Sequence, residues 1–339
     1  MRRVLAVVAA AVMVAGALAI RSRIDSDEHV QSQVLRLTCA NELEALCSQI
    51  QRDDDRIQVT VEAAGATADK VEELPGDPHD LGIDGWLVSA PWPDIVDGAR
   101  RARALPSVFG PPATRPVLAR SPLVIAAWND RVGALRTHCQ TPAIGWKCIG
   151  DAAATPGGWA AIGGRPEWGP VKPGHADPVN DFGLEVLGQA AADWFGRSDL
   201  SSIDLDDDAF SRWFSGLERA VPPSGTSPLN LMLVTGPAAY DAVGTTEAEA
   251  FPLLARSPRR NSLELLYPSP MVTADIVLAT PTATESATRS LRAVVSGPAA
   301  KQAFTDAGWK APGAPGSGSL PPPGFLDALR TRWHSVTGR

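Results

Sequence analysis

The chain has 339 residues, of which 44% are hydrophobic and 20% are charged, and its formal net charge is −7. This length and composition allow two lobes with their own cores and exclude disorder of the whole chain. The acidic balance also argues against a nucleic-acid partner, because binding to a phosphate backbone needs a basic surface.

The chain begins with "MRRVLAVVAAAVMVAGALAIRSR", in which an uncharged apolar run from Val4 to Ile20 lies between basic residues. The run fits a cleaved leader, with Ala17-Leu18-Ala19 as a candidate cleavage site, and is just long enough for a retained membrane anchor. Both alternatives stay open. Because basic residues before such a run stay inside, we predict an extracytoplasmic protein that is secreted or anchored to the cell membrane by this segment.

The four cysteines can form disulfides if the protein is exported to an oxidising compartment. Cys139 and Cys148 bracket "QTPAIGWK", whose proline and glycine favour a turn, so we predict a local disulfide between them. A helix spanning Cys39 to Cys47 would place their Cα atoms roughly 12 Å apart, whereas a disulfide tolerates about 7 Å. Either that helix starts late, or these two thiols stay unpaired or find other partners. No metal site is expected, because the chain has no C-x-x-C pair and its histidines are scattered.

Short apolar segments alternate with amphipathic ones along the chain, which is typical of an α/β fold with mostly parallel strands. The predicted strands cover residues 34–37, 57–61, 84–88, 123–127, 229–234 and 275–278. The clearest helix is "DDAFSRWFSGLERAV", whose apolar residues recur at helical spacing behind an acidic start.

The C-terminal region begins with "APGAPGSGSLPPPG", a composition that predicts a linker. One short helix, "FLDALRTRWHSVTGR", follows it. We therefore expect the compact part of the protein to end near Pro312 and residues 313–339 to be dispensable for folding.

Six stretches follow one another between residues 34 and 312: "LRLTCANELEALCSQI", "DGWLVSAPWPDIV", "ARSPLVIAAW", "HADPVNDFGLEVLGQA", "TADIVLATP" and "SLRAVVSGPAAKQAFTDAGWKAPG". In this order and spacing they resemble the bacterial extracellular solute-binding proteins with the type II periplasmic-binding-protein-like fold. The resemblance implies an α/β fold of two lobes, each a mainly parallel sheet flanked by helices. Two crossing segments, residues 119–127 and 273–281, would join the lobes.

The resemblance also implies a division of the chain. It assigns residues 1–33 to a signal peptide or membrane anchor, 34–120 to the first part of lobe I, 121–271 to lobe II, 272–312 to the return crossing and the rest of lobe I, and 313–339 to a linker and C-terminal helix. The last segment also resembles the connector that precedes a von Willebrand factor A domain in many actinobacterial relatives. We expect this chain to lack that domain, so a transporter or a separate von Willebrand factor A domain is the implied partner.

A ligand in such a fold sits where the carboxyl ends of strands and the starts of helices converge between the lobes. The expected ligand-binding residues are Thr38, Asn41, Ser89 and Trp92 in lobe I, Ser121 at the hinge, and Asp177, Asn180 and Asp181 in lobe II. Alternatively, Asn41 and Asp181 are helix N-caps and Trp92 packs within its lobe.

Acidic residues at a helix start in lobe II indicate the charge of the ligand. Asp177 and Asp181 place carboxylates at the start of a helix, where they would repel an oxyanion that a bare helix N-terminus attracts. A neutral polar or cationic solute is therefore favoured over an oxyanion.

Three classes of function remain. The first is a solute-binding protein whose lobes close on a small polar ligand for a transporter or signalling partner. An enzyme is disfavoured, because the chain has no G-x-S-x-G, H-E-x-x-H or Walker loop, so we expect no catalytic residues and no cofactor. The third is an exported scaffold or adaptor with a degenerate ligand cleft, which would gain no stability from ligands.

Overall fold

A computed structural model describes residues 34–75, 81–141, 143–222, 227–269, 271–282, 285–313 and 318–338. The apolar run at residues 4–20 and its candidate cleavage site lie outside these ranges. Within them, the structure contains no helix whose length and apolar character would let it cross a membrane.

Eight strands form one curled sheet in the order β2-β1-β3-β8-β4-β6-β5, with β7 also paired to β4. The strands are β1 (Leu35–Ala40), β2 (Ile57–Glu62), β3 (Gly85–Ser89), β4 (Val117–Trp128), β5 (Pro173–Gly174), β6 (Ala242–Thr246), β7 (Leu263–Leu266) and β8 (Thr273–Ala279). The first half of β4 pairs with β8, and its second half pairs with β6 and β7. This long strand therefore passes from one lobe into the other.

Helices cover both faces of the sheet. They are α1 (Glu44–Asp53), α2 (Ala64–Glu73), α3 (Pro91–Ala102), α4 (Asn129–Cys139), α5 (Trp146–Ala154), α6 (Asp181–Phe195), α7 (Asp208–Ala220), α8 (Pro228–Thr235), α9 (Glu247–Arg256), α10 (Glu285–Val295), α11 (Pro298–Asp306) and α12 (Pro323–Thr337). The predicted amphipathic helix is α7, which Asp207 caps by accepting a hydrogen bond from the N–H of Phe210 at 2.8 Å.

The direction of pairing differs between the lobes. In lobe I, β1 pairs in parallel with β2 and β3, whereas β8 pairs antiparallel with β3 and β4. In lobe II, β4 pairs antiparallel with both β6 and β7, and only β5 and β6 are parallel. The expectation of a mainly parallel sheet is wrong for lobe II, because the crossing strand is central there and both of its neighbours run back beside it.

Five of the six predicted strands overlap observed strands, but residues 229–234 lie in helix α8. Ser227 caps this helix by accepting a hydrogen bond from the N–H of Asn230 at 3.3 Å, and Pro228 occupies its first turn. A serine followed by proline is a helix-start signal. The strand prediction was wrong because a short apolar run has no periodicity that separates a buried strand from a buried helix.

Both cysteine pairs are disulfides. The predicted link between Cys139 and Cys148 is confirmed, with a Cα separation of 5.8 Å. Cys39 and Cys47 are also joined, with Cα atoms 6.6 Å apart. Their pairing is possible because a 3-10 turn at Asn41–Leu43 precedes α1, so the helix starts late.

The C-terminal helix packs against both lobes, so the expectation that the compact part ends near Pro312 is wrong. The side chains of Phe325, Leu326, Leu329 and Trp333 on α12 are buried. On the lobe I side, Arg330 forms an ion pair with Asp69 on α2 at 3.2 Å. An amphipathic helix is stabilised when its apolar face is covered, and the two lobes cover this one.

The partner of α12 in lobe II is Glu218 on α7. The indole N–H of Trp333 donates to one carboxylate oxygen of Glu218 at 2.6 Å, and His175 lies 3.0 Å from the other. All three side chains are buried. The helix therefore links α2 and α3 of lobe I to α7 of lobe II.

Candidate ligand-binding site

Two pairs of the sequence-predicted residues meet across the lobes. Asn41, just after β1, donates from its side-chain amide to the side-chain oxygen of Asn180 at 3.1 Å. Ser89, at the end of β3, donates its backbone N–H to Asp181 at 3.0 Å and its hydroxyl to the same carboxylate. Asn180, Ser89 and Asp181 are buried, so the centre of the cleft is closed in this structure.

Neither Asn41 nor Asp181 is an N-cap. The N-cap position of α6 is occupied by Asn180, whose side chain makes no capping hydrogen bond, and Asp181 is the first residue of the helix. Ala40 occupies the corresponding position before the turn that begins at Asn41. The side chains of Asn41 and Asp181 contact the opposite lobe instead.

The remaining predicted residues lie in three different settings. Thr38 is buried within β1, beside Thr60 of β2 in the sheet. Ser121 in β4 accepts a hydrogen bond from the N–H of Ala248, at the start of α9, at 2.9 Å. The carbonyl of Asp177 accepts the N–H of Asn180 at 2.9 Å and forms the turn before α6. Contact of these residues with a ligand stays a prediction.

Trp92 is 0% exposed in α3. The guanidinium carbon of Arg330 from α12 lies 5.6 Å from the centre of its ring. This burial fits the packing alternative, and contact of Trp92 with a ligand stays a prediction. The C-terminal helix covers α3.

A cavity of about 1060 Å³ opens between the lobes beside these contacts. Both lobes line it. Lobe I contributes residues 41, 42, 44–46, 49, 52, 53, 61, 299, 302, 303, 306, 307 and 309, and lobe II contributes residues 182, 227, 246, 248, 249, 252 and 256. The rings of Phe182 and Trp309 lie 5.5 Å apart and form part of its apolar surface. This volume is at the upper end for small-molecule sites.

Carboxylates outnumber cationic side chains around the cavity. The acidic lining residues are Glu42, Glu44, Asp53, Glu249 and Asp306, and the basic ones are Arg52 and Arg256. This excess of negative charge raises the local concentration of cations.

Glu42 and Glu249 come from different lobes and differ in their hydrogen bonds. Glu249 accepts from the hydroxyl of Ser227 at 2.6 Å and from the hydroxyl of Thr245. Glu42 accepts the N–H of Phe182 at 3.3 Å through one oxygen. Its other oxygen is buried and has no hydrogen-bond partner among the described residues. Glu42, which lines the cavity, therefore has one buried carboxyl oxygen without a hydrogen-bond partner among the described residues.

The cleft carboxyls hold their protons more tightly than usual. Burial, reinforced by the charge of Asp181, raises the pKa of Glu42 to about 8. Burial raises the pKa of Asp181 to about 7, against the hydrogen bonds from Ser89 that lower it. Glu185 lies one turn further along α6 and is buried beside Asp181. Burial and the charge of Asp181 raise its pKa well above the ordinary value.

The stability of the folded protein is expected to fall as the pH rises from about 5 to about 9. Glu42 and Asp181 titrate near 4 in an unfolded chain, so between that value and their folded pKa values the folded protein holds protons that the unfolded chain has lost. Rising pH then favours the unfolded chain, by on the order of a few kcal/mol. Urea unfolding at several pH values measures this slope.

Glu42→Gln should reduce that pH dependence, because glutamine has no proton to lose, and the remaining slope should come from Asp181 and Glu185. Glu73→Gln is the matched control, since Glu73 is exposed at the end of α2, and it should keep the full slope. A urea midpoint that stays constant from pH 5 to pH 9 in the unaltered protein would contradict the burial of ionisable carboxyls in the cleft.

The sequence analysis did not identify four residues that line the cavity, Glu42, Phe182, Glu249 and Trp309, or the buried Glu185 beside Asp181. One signal was available for Glu185, which follows Asp181 by four positions and therefore lies on the same face of α6. Glu42 is adjacent to the predicted Asn41, but only the fold shows that its carboxylate is buried.

Two α/β lobes joined by crossing strands, with a large cavity between them, define a hinged ligand-binding protein. The chain belongs to the family of bacterial extracellular solute-binding proteins, whose profile matches residues 40–310. Membership places the protein outside the cytoplasm. Among curated proteins, none matches the sequence.

Solved structures of binding proteins share the fold at low sequence identity, which confirms the two-lobed architecture. A periplasmic thiamin binding protein has a TM-score of 0.57 at 13% identity, with coverage of 90% of this chain and 96% of that one. Iron-bound HitA from Pseudomonas aeruginosa has a TM-score of 0.56 at 14% identity, with coverage of 90% of this chain and 99% of that one. The sulfate-binding protein SubI from Mycobacterium tuberculosis H37Rv has a TM-score of 0.51 at 13% identity, covering 91% and 96%.

Proposed function

We propose that the protein captures a small polar solute carrying a positive group in the cavity between its lobes and presents the closed form to a transporter or signalling partner. The observation that supports this most is the free, buried carboxylate oxygen of Glu42 at the cavity. The sequence alone favours a neutral polar or cationic solute, and this oxygen favours the cationic one.

A positive group fits this cavity for two physical reasons. Burial of a carboxylate without a partner is costly, and a cation beside Glu42 offsets that cost. Glu249 from the opposite lobe adds a second negative charge that raises the pKa of Glu42. A cation between these two carboxylates would replace repulsion between the lobes by attraction to both.

The aromatic pair gives the remainder of the solute a surface to contact. Phe182 belongs to α6 of lobe II and Trp309 follows α11 of lobe I, and both line the cavity. Aromatic faces cover apolar surface and attract cations. Asn41 lines the same cavity, whereas the contacts of Ser89, Asn180 and Asp181 hold the lobes together beside it.

The structurally similar proteins do not identify the solute of this chain, because their names report three different ligands, thiamin, iron and sulfate. The solute must be inferred from the residues of this chain. We further propose that the protein has no catalytic activity, that residues 1–33 export it or anchor it in the membrane, and that its partner is a membrane transporter or a von Willebrand factor A domain on another chain.

Thermal unfolding in the presence of single solutes tests the proposal. Choline, putrescine, arginine and thiamin serve as cations, glucose and maltose as neutral solutes, and sulfate and molybdate as oxyanions. A cation from this panel is expected to raise the unfolding midpoint, because a ligand at a hundred times its Kd stabilises by about 2.7 kcal/mol.

The variants locate the effect. Glu42→Gln should abolish the stabilisation by the cation, whereas Glu73→Gln, an exposed and chemically matched change, should retain it. Stabilisation by an oxyanion instead would overturn the proposed charge of the ligand.

One observation favours an alternative function. The predicted ligand-binding residues Ser89 and Asp181 satisfy each other in the closed cleft without a ligand. An exported scaffold or adaptor with a degenerate cleft would have such contacts permanently. If no solute of any charge shifts the unfolding midpoint, this alternative replaces solute binding.

A further inference from the structure

A second, smaller cavity lies beside the strands that join the lobes. It measures about 330 Å³ and shares no lining residue with the solute cavity. Its lining residues are Ala90, Pro91, Asp94, Arg120, Glu185, Thr273, Asp275, Gly318, Ser319, Leu320, Pro321 and Pro323. Lobe I, α6 of lobe II, the crossing strands and the segment before α12 therefore all contribute to it.

Two of the three carboxylates in this cavity have cationic partners. Asp275 accepts from the guanidinium of Arg120 at 2.8 Å and from the hydroxyl of Thr273 at 2.9 Å. Asp94 forms an ion pair with Arg115. The positive charge of Arg120, the basic residue of the lining, is thus already matched by Asp275.

Glu185 is the exception. Its side chain is 1% exposed, and neither carboxylate oxygen accepts a hydrogen bond from the described residues. The hydroxyl of Ser89 donates to Asp181 and also lies close enough to Glu185 to act against the rise in the pKa of that carboxyl. The charged groups that act on Glu185 are the carboxylates of Asp181, Asp275 and Glu42, all of the same sign.

A buried ionised carboxylate without a partner costs several kcal/mol, and its negative neighbours add to this cost. The adjacent cavity has room for an ion with part of its hydration shell, since a water molecule occupies roughly 30 Å³. In the described part of the chain, no three His, Cys, Asp or Glu residues are grouped to hold a metal. A single free carboxylate suits a singly charged ion better than a divalent one, which prefers several carboxylates.

We propose that Glu185 binds a small monovalent cation, either an alkali ion or ammonium, in this second cavity. The ion would neutralise the carboxylate of Glu185, which has no hydrogen-bond partner among the described residues. It would lie where α6, the crossing strands and the C-terminal segment meet. The site would stabilise the packing of the lobes, and it shares no lining residue with the cavity proposed for the solute.

The test compares thermal unfolding at pH 9 in chlorides of sodium, potassium or ammonium with unfolding in tetraethylammonium chloride at equal ionic strength. The charge of tetraethylammonium is shielded by four ethyl groups, so this ion cannot approach Glu185 closely. We expect at least one small cation to raise the midpoint of the unaltered protein by a few degrees over tetraethylammonium. Glu185→Gln should lose this difference, and Glu73→Gln should keep it.

The variant is expected to fold, because glutamine has the shape of a protonated glutamate and carries no charge. In tetraethylammonium chloride, Glu185→Gln should unfold at a higher temperature than the unaltered protein. In the chloride of the small cation that binds, this difference between the two unfolding midpoints should shrink or change sign. Equal midpoints of the unaltered protein in all four salts would overturn the proposal, since Glu185 would then simply be neutral. A cation effect that persists in Glu185→Gln would overturn it as well.

Discussion

Removal of residues 313–339 is expected to lower the free energy of unfolding by several kcal/mol. The deleted helix buries Phe325, Leu326, Leu329 and Trp333, which are each 2% exposed or less. Burial of one such side chain contributes about 1.5–3 kcal/mol, and sums of this kind are upper estimates. The deletion also removes the N–H that Trp333 donates to the buried carboxylate of Glu218.

Urea unfolding of the full chain and of a chain that ends at Pro312 measures this effect. Ser335→Ala in the full chain is the matched control, because Ser335 lies on the exposed side of α12 and its loss should change stability little. A truncated chain with the full-length midpoint would contradict the docking of α12 on the two lobes.

The second large effect is expected for Trp92→Ala. Trp92 is completely buried in α3 and lines neither described cavity. Truncation of a buried tryptophan to alanine costs about 3–5 kcal/mol, because the transfer free energy is lost and a void remains. The affinity of the surviving folded protein for its solute should stay near that of the unaltered chain.

Phe251→Ala provides the comparison for this variant. Phe251 is 48% exposed on α9, so its truncation removes an aromatic ring without opening a void in the core. Denaturant unfolding and solute titration on both variants separate the two roles of Trp92. Intact stability with a large loss of affinity in Trp92→Ala would contradict its assignment as a packing residue and restore it to the ligand site.

The parts of the fold that were predicted correctly carry local signals. Strands β3 and β8 contain compact apolar runs, and β1 and β2 alternate apolar with polar residues. Helix α7 has both a helical apolar period and an acidic start. The disulfide between Cys139 and Cys148 follows from a short loop with turn residues. Each of these features depends on neighbours in sequence.

The errors arose where distant residues decide the outcome. The packing of α12 depends on apolar surface offered by α3, α6 and α7, which its own sequence does not show. The same helix places Arg330 over the ring of Trp92, which is completely buried. Helix α8 is a different case, because its short apolar run has no period that separates a strand from a helix.

The candidate site was predicted in outline and missed in its chemistry. Asn41, Asn180, Ser89 and Asp181 were placed on facing walls, and they contact one another in the structure. Their contact with a ligand stays a prediction. The free acceptor of Glu42 could not be predicted, because an acidic chain has many carboxylates and only tertiary packing decides which one is buried without a partner.

Native mass spectrometry of the secreted protein tests whether the cavity holds a cationic solute, since a solute carried through a gentle purification is weighed as part of the complex. We expect a complex with one small molecule that fragments to a cation, present in the unaltered protein and in Glu73→Gln and absent from Glu42→Gln. A bare protein mass in all three, or an anion bound equally by Glu42→Gln, would contradict it.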